Sequence, residues 1–303
     1  MSARTDRTDF QATSDPGVMA SADRGETKLL DYQELYELWE RQQWATQDLD
    51  FTRDREDWHE RFDDQERFAR MYGLSSFFIG EQRVAAELGP IMRAVPDEDM
   101  RMFLCTQIAD EARHVAFFNR FYSEVGVLES ETLVARLEET AAHVNPEFEA
   151  LFDQALHDCV NRLAVEPEDR ETLVETITLY HMVIEGMLAL TGQHFIIDYN
   201  ERMGTLPGFV EGFTKVARDE HRHVAFGARF LRDMAREDPR YGEAIQRTLS
   251  EVAPIADGVL RPKWIRPEDD DKIIFGTSVN DSRAFAMKAL ERRMKVIGLL
   301  AAA

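Results

Sequence analysis

The sequence predicts an all-α protein built as a bundle of long helices. Three observations carry this. From Leu29 onward nearly every segment repeats apolar residues at intervals of three and four. Proline and glycine, which punctuate a chain, fall at wide intervals. Four of the resulting segments exceed 25 residues, which suits a bundle with short connections.

Residues 1 to about 28 mix Ser, Thr, Asp, Arg and Gly with few apolar side chains. Burial there cannot offset the entropy of ordering, so a disordered leader is expected ahead of a single helical domain over 29–303. The spacing predicts a first helix over 31–43 and a second over 62–94, which stops at Val95-Pro96-Asp97. A third, over 97–125, ends at Gly126. Shorter helices follow over 129–142 and 147–163, the latter opened by Asn145-Pro146. Glu166-Pro167 opens a helix over 167–200, and Gly204 with Pro207 separates it from one over 207–236. Asp238-Pro239 starts a helix over 239–257, and the last runs over 281–299. No solenoid repeat is present.

Lys and Arg total 36 against 57 Asp and Glu, a net charge of -21. That balance disfavours nucleic acid and anionic membrane as partners, since both carry the same sign. No apolar run approaches the roughly 20 residues that span a bilayer, and the first thirty residues hold no apolar core of a signal peptide. A cytoplasmic location without membrane insertion is expected. Cys105 and Cys159 are too few for a disulfide framework and are expected as buried small hydrophobes.

The chemistry lies in Glu-x-x-His, which sets a carboxylate and an imidazole one turn apart on one helix face. It occurs as Glu111-Ala-Arg-His114 and Glu220-His-Arg-His223. A third copy, Glu56-Asp-Trp-His59, sits in a run of charges with no apolar stripe and is read as a decoy. The first two lie on apolar stripes, Leu104, Ile108, Val115 and Phe118 around Glu111, and Phe213, Val216, Ala217 and Val224 around Glu220. Charged groups on such stripes are costly unless paired or metal-bound. Glu81 and Glu185 share the anomaly. Glu81 precedes Glu111 by 30 residues and Glu185 precedes Glu220 by 35, with a hairpin break midway in each interval. The chain thus holds two copies of Glu, hairpin, Glu-x-x-His, the ligand set of a dinuclear carboxylate site inside a bundle. Oxygen and nitrogen donors without thiolate suit Fe or Mn over structural zinc.

This ligand pattern, Asp219 just before Glu220, and Trp44 ahead of Asp48-Leu-Asp-Phe-Thr-Arg-Asp-Arg resemble the small, radical-bearing subunit of ribonucleotide reductase. The strings Gly80-Glu-Gln-Arg-Val84 and Tyr180-His-Met-Val-Ile-Glu-Gly-Met-Leu-Ala-Leu-Thr-Gly192 more closely resemble the ligand-binding oxidases similar to that subunit. The resemblance covers about residues 44–236. It implies a ferritin-like four-helix core with additional surrounding helices, working as a homodimer. It also implies manganese on Glu81, Glu111 and His114 and iron on Glu185, Glu220 and His223, with Glu111 among the bridging carboxylates. Two irons are the alternative. In that family a long-chain fatty acid caps the metals through its carboxylate, and dioxygen activation drives a two-electron oxidation and an ether cross-link between a valine and a tyrosine. The matching positions are Val84 and Tyr180.

Tyr180 lies five residues before Glu185, about 140° round an ideal helix, so sharing the site needs a π-bulge or a flanking stripe. Arg83, beside Val84, must point away. Trp44 and Asp219 read as an electron relay or, the commoner arrangement, Asp219 orients a ligand histidine. Met182, Phe77, Phe78 and Phe118 are expected in the core or lining an apolar channel, and His221 is expected to face solvent. The rival reading is a reductase small subunit. Such subunits usually carry a radical tyrosine four residues after the first ligand histidine, where this chain has Phe118, and a redox tyrosine in the tail, where the last tyrosine here is Tyr241. Iron storage and a metal-free scaffold are further alternatives.

Overall fold

The computed structural model describes residues 29–300, so the expected leader over 1–28 lies outside the described residues. The described chain is all-α, with only an isolated bridge between Ile274 and Thr277. Helix α1 is Tyr32–Arg41, closed at its start by a capping box between Asp31 and Glu34. A 3-10 turn, Thr46–Asp48, leads to α2, Thr52–Glu56, which widens into a π-type turn over Asp57–Arg61. These short elements were not expected from the sequence. Then come α3, Asp64–Ala94, and α4, Glu98–Val125, capped by Asp97 and ended by Gly126 in the left-handed region.

Helix α5 is Leu133–Ala141, starting four residues later than expected because Thr132 accepts from the Ala135 amide and so sets the N-cap. Helix α6 opens on Pro146–Glu149, passes through a π stretch at Ala150–Leu156 and finishes as His157–Val165. Helix α7, Arg170–Met203, also carries a π stretch, Thr178–Ala189. Helices α8, Pro207–Glu237, α9, Pro239–Val259, and α10, Val279–Ile297, complete the order.

The four-helix core is α3, α4, α7 and α8. The hairpins α3–α4 and α7–α8 each turn within three residues, so the paired helices run antiparallel. Helix α7 is long and apolar enough to cross a membrane, yet 89% of its most apolar stretch is buried inside the protein. It is the central core helix, packed against α8, α9 and α10.

The start of α8 is held by distant residues. Its N-cap, Leu206, sits at φ 49° and offers no capping side chain. The donors are met instead by α2 and its extension: Asp54 accepts from the Gly208 and Phe209 amides at 2.9 and 2.7 Å, and Asp57 from the Leu206 amide at 2.8 Å. Gly208 is required by this approach, because a Cβ there would lie 2.2 Å from the Asp50 carbonyl oxygen. The decoy motif has a structural part too. His59 Nε2–H donates to the Val125 carbonyl at 2.8 Å, closing the end of α4, while Glu56 stays exposed. Cys159 is buried as expected, but Cys105 is exposed, on the outer face of α4 with its Sγ 3.5 Å from Met92 Sδ.

Burial pushes the Asp54 carboxyl up to about 6, against the pull of the amides it accepts from. A carboxyl raised in the folded state is bound to a proton there more readily than in the unfolded chain. Its contribution to stability therefore falls as pH rises from the ordinary carboxylate range through about 6. Asp54→Asn should flatten that part of the stability-versus-pH curve, measured by denaturant unfolding between about pH 4 and 7; an unchanged slope would refute the assignment.

Candidate metal centre

Glu81 comes from α3, Glu111 and His114 from α4, Glu185 from α7, and Glu220 and His223 from α8. All six meet in the core and all are buried. Around His114 Nδ1 stand Glu81 Oε2 at 3.1 Å, Glu220 Oε1 at 3.4 Å and Glu111 Oε2 at 3.5 Å. Around His223 Nδ1 stand Glu111 Oε1 and Glu185 Oε1, both at 3.4 Å, and Glu220 Oε2 at 3.5 Å. Glu111 and Glu220 each present one oxygen to either side. Both carboxylates therefore lie between the two imidazoles.

Each imidazole is turned by an aspartate behind it. His114 Nε2 faces Asp219 Oδ2 at 3.4 Å, and His223 Nε2 faces Asp110 Oδ2 at 3.3 Å. With Nε2–H directed at the aspartate, the Nδ1 lone pair points into a ring of carboxylate oxygens, where acceptor meets acceptor. Such a set is at rest only with a cation or a proton between the atoms. Burial drives the Glu81 and Glu185 carboxyls well above the ordinary range. Burial also opposes charge on His114 and His223, but Glu81 beside the first and Asp110 and Glu185 beside the second outweigh it, and both rise well above the usual histidine value. Glu111 Oε2 and Glu185 Oε2 are buried without a hydrogen-bond partner among the described residues. Four carboxylates match the charge of two divalent ions, and two groups, Glu81–Glu111–His114–Glu220 and Glu111–Glu185–His223, each converge tightly enough to hold one. The residues fit a dinuclear centre.

Asp219 orients His114 and also accepts from Trp44 Nε1 at 2.8 Å. The sequence reading missed the second half of this arrangement. Trp39 Nε1 donates to Asp110 at 2.9 Å, so Trp39–Asp110–His223 mirrors Trp44–Asp219–His114. Arg222 Nη2 joins the halves, 2.9 Å from Asp110 Oδ2 and 2.7 Å from Asp219 Oδ1, while Arg113 Nη1 lies 3.3 Å from Asp110 Oδ1 and 3.6 Å from Asp219 Oδ2. The signal was present: both motifs read in full Asp-Glu-x-Arg-His, at 110–114 and 219–223. Gln107 was also missed. It donates to Glu185 Oε1 at 2.8 Å, and its own oxygen lies 3.1 Å from Nε2 of His181, an imidazole that burial holds neutral with its pKa pushed down to about 3.

The π stretch that Tyr180 required is present. Its i→i+5 ladder carries Tyr180 and Glu185 to the same side of α7, and Tyr180 Oη donates to Glu111 Oε1 at 3.2 Å. Val84 is buried and lines the cavity over the carboxylates. Arg83 points away, paired with Asp153 at 2.6 Å. Met182, Phe78 and Phe118 are fully buried, and Phe77 lines the cavity. Phe118 is packed among Phe77, Phe78, Phe117 and Phe213. His221 departs from expectation: it is half-buried, its Nδ1–H donating to the Ala217 carbonyl at 2.6 Å, and burial pushes its pKa down to about 4.

Residues 26–298 match the family described as Ribonucleotide reductase, small chain. The chain belongs to this family. Its fold is similar to solved structures of an R2-like ligand-binding oxidase with a reconstituted Mn/Fe cofactor. A tyrosine-to-phenylalanine and a valine-to-isoleucine variant of that oxidase each match at TM-score 0.76 and 25% identity, over 88% of this chain and 93% of theirs. A glycine-to-leucine variant, described with a non-activated Mn/Mn cofactor after aerobic reconstitution with Mn and Fe, matches equally. The small-chain family is therefore the frame in which the ferritin-like bundle and its paired Glu-x-x-His helices belong.

Arg222 is the charge partner of two buried aspartates. Replacing it with Met should cost about 3–5 kcal/mol, because it leaves two buried carboxylates with only Arg113 to balance them. Arg247→Met, which breaks an exposed pair with Glu171 and Glu175, should cost less than about 1 kcal/mol. Denaturant unfolding of both variants checks the contrast, and equal losses would contradict it.

Proposed function

We propose that the protein is a dioxygen-activating oxidase with a dinuclear Mn/Fe centre, acting on a hydrophobic ligand that bears a carboxylate, of the long-chain fatty-acid type. The observation that carries this reading is a cavity of about 200 Å³ whose polar end is Glu81, Glu111, Glu185 and Glu220. Its remaining wall is mostly apolar, with Phe77, Val84, Phe148, Phe152, Ile184 and Leu188, alongside the hydroxyl residues Ser76, Thr191 and Ser282. An apolar chain gains from leaving water there, while its carboxylate needs positive charge at the carboxylate end.

In this reading Glu81, Glu111 and His114 would hold one metal and Glu185, Glu220 and His223 the other. The bound metals would supply redox capacity and a positive anchor for the ligand carboxylate. The chain's own residues do the rest. Asp110 and Asp219 fix the imidazole tautomers, leaving Nδ1 free to donate its lone pair. The apolar wall excludes water from the reacting space. Burial keeps the Tyr180 phenol protonated, and its hydrogen is directed at Glu111 Oε1, which can take it. An ether between Val84 Cβ and Tyr180 Oη removes one hydrogen from each, two protons and two electrons in all, and dioxygen is the acceptor. By resemblance to the family the working unit is a homodimer.

Protein expressed with both metals available should contain about one Mn and one Fe per chain by elemental analysis and should consume dioxygen on reconstitution. Peptide mapping should then find Val84 and Tyr180 on one linked species, lighter by two hydrogens than the separate peptides. Tyr180→Phe should retain the metals and lose the link. Absence of metal, or both metals with no oxygen consumption, would defeat the proposal.

A further inference from the structure

The two tryptophans that reach toward the centre are not equivalent. Trp39 and Trp44 each donate to the aspartate behind one imidazole, and Arg113 and Arg222 touch both aspartates, so those contacts do not tell the halves apart. The difference lies at the rings. The Arg113 guanidinium carbon stands over the Trp44 ring, 5.4 Å from its centroid. A cation there is attracted by the electron-rich face, and the attraction turns to repulsion once the indole gives up an electron. Trp44 is therefore a poor electron source. Among the described residues no cation stacks over the Trp39 ring.

Trp39 also leads outward. Tyr36 lies three residues before it on the same face of α1, with ring centroids 6.0 Å apart. Both rings are half-buried and Asp110 is fully buried, so the series runs from the surface into the core. Its steps are short: 6.0 Å between the rings, 2.9 Å from Trp39 Nε1 to Asp110 Oδ1, and 3.3 Å from Asp110 Oδ2 to His223 Nε2. Beyond Tyr36 stands the Glu40 carboxylate, whose charge and hydrogen bonding raise the phenol's pKa. A phenol that loses an electron becomes a strong acid, and Glu40 is placed to take the proton. The ring beside Trp44 is Phe117, with centroids 6.4 Å apart, which has no such proton to give.

We propose that Tyr36, Trp39 and Asp110 form an electron path from the surface of α1 to the metal centre, which completes the reduction of dioxygen when no ligand is present to be oxidised. This rests on the reading that the centre holds two redox metals and reacts with dioxygen. Dioxygen takes four electrons, and four protons from solvent, to become two waters. Two of the electrons come from the metals, one each, and in ligand oxidation the other two come from the ligand. With the cavity empty the path supplies that second pair. Trp39 gives one electron inward through Asp110 and His223 and recovers it from Tyr36, whose proton passes to Glu40. The Tyr36 phenoxyl radical then takes an electron from a soluble one-electron reductant and regains its proton, and a second pass delivers the fourth electron.

The Tyr180→Phe protein, loaded with Mn and Fe, lacks the hydroxyl that would form the ether, so the path is tested in that background. Mixed with dioxygen in the absence of ligand, frozen at successive times and followed by electron paramagnetic resonance, it should show a tyrosyl radical that ascorbate quenches. Adding Tyr36→Phe should abolish that signal and leave a tryptophan radical in its place. Trp44→Phe, which removes the mirror-image donor, should retain the tyrosyl signal. Among the described residues Tyr36 has no hydrogen bond to the centre, so its effect separates electron transfer from support of His223, which Trp39→Phe would also disturb. Elemental analysis of each variant keeps loss of metal apart from loss of radical. A tyrosyl signal that survives Tyr36→Phe, or one that disappears only in Trp44→Phe, would overturn the path and leave the oxidase reading intact. Dioxygen consumption without any organic radical would do the same. Protein that binds no metal, or that consumes no dioxygen, would remove both.

Discussion

The fold is organised around the burial of ionisable groups that could not be buried singly. Six buried side chains meet between α3, α4, α7 and α8, and four of them are carboxylates. The surroundings answer this in two layers. Inside, the imidazoles face the carboxylates and the arrangement calls for cations. Outside, Asp110 and Asp219 turn the imidazoles and are themselves neutralised by Arg222 and Arg113, with Trp39 and Trp44 donating from α1 and the segment that follows it. Removing any member leaves a charge or donor stranded in a dry interior, where the penalty is largest. The apolar core is therefore packed around a polar centre that has its own strict accounting of donors and acceptors.

The long helices and the metal-centre constellation were legible because their signals are local. Periodicity marks a helix within a dozen residues, and Pro96 and Gly204 mark the hairpins that bring Glu81 to Glu111 and Glu185 to Glu220. The segment from Thr46 to Arg61 was not legible as structure, because its run of alternating charges carries no apolar stripe; its order comes from Asp54 and Asp57 meeting the amides of α8. Asp110 and Trp39 belong to an intermediate kind. The repeated Asp-Glu-x-Arg-His was visible, but nothing in a linear chain says that an aspartate beside a glutamate faces the imidazole on another helix. His221 was misplaced for a similar reason: the helical wheel of α8 puts it away from the centre, and only the packing of α10 against that side makes it half-buried.

Helix α7 shows how winding alters what a sequence can place. In a regular α-helix Tyr180 and Glu185 diverge, and one of them would be lost to the site. Over Thr178–Ala189 the underwound π ladder carries both inward, at the cost of less favourable backbone bonding. Full enclosure of this stretch by α8, α9 and α10 makes that tolerable, since tertiary packing supplies what local bonding gives up.

The capping of α8 by Asp54 also bears on the order of folding. The contact joins residues 154 apart in the chain, and Trp44 with Asp219 spans 175. During synthesis the segment that holds Trp44 and Asp54 emerges well before its partners on α8. Both hairpins can form early from neighbouring sequence, but the helix that supplies Glu220 and His223 has its first turn completed only when the long loop closes. Assembly of the centre is in this way tied to the last, slowest closure, and a nascent chain that has made its hairpins does not yet present a finished binding site.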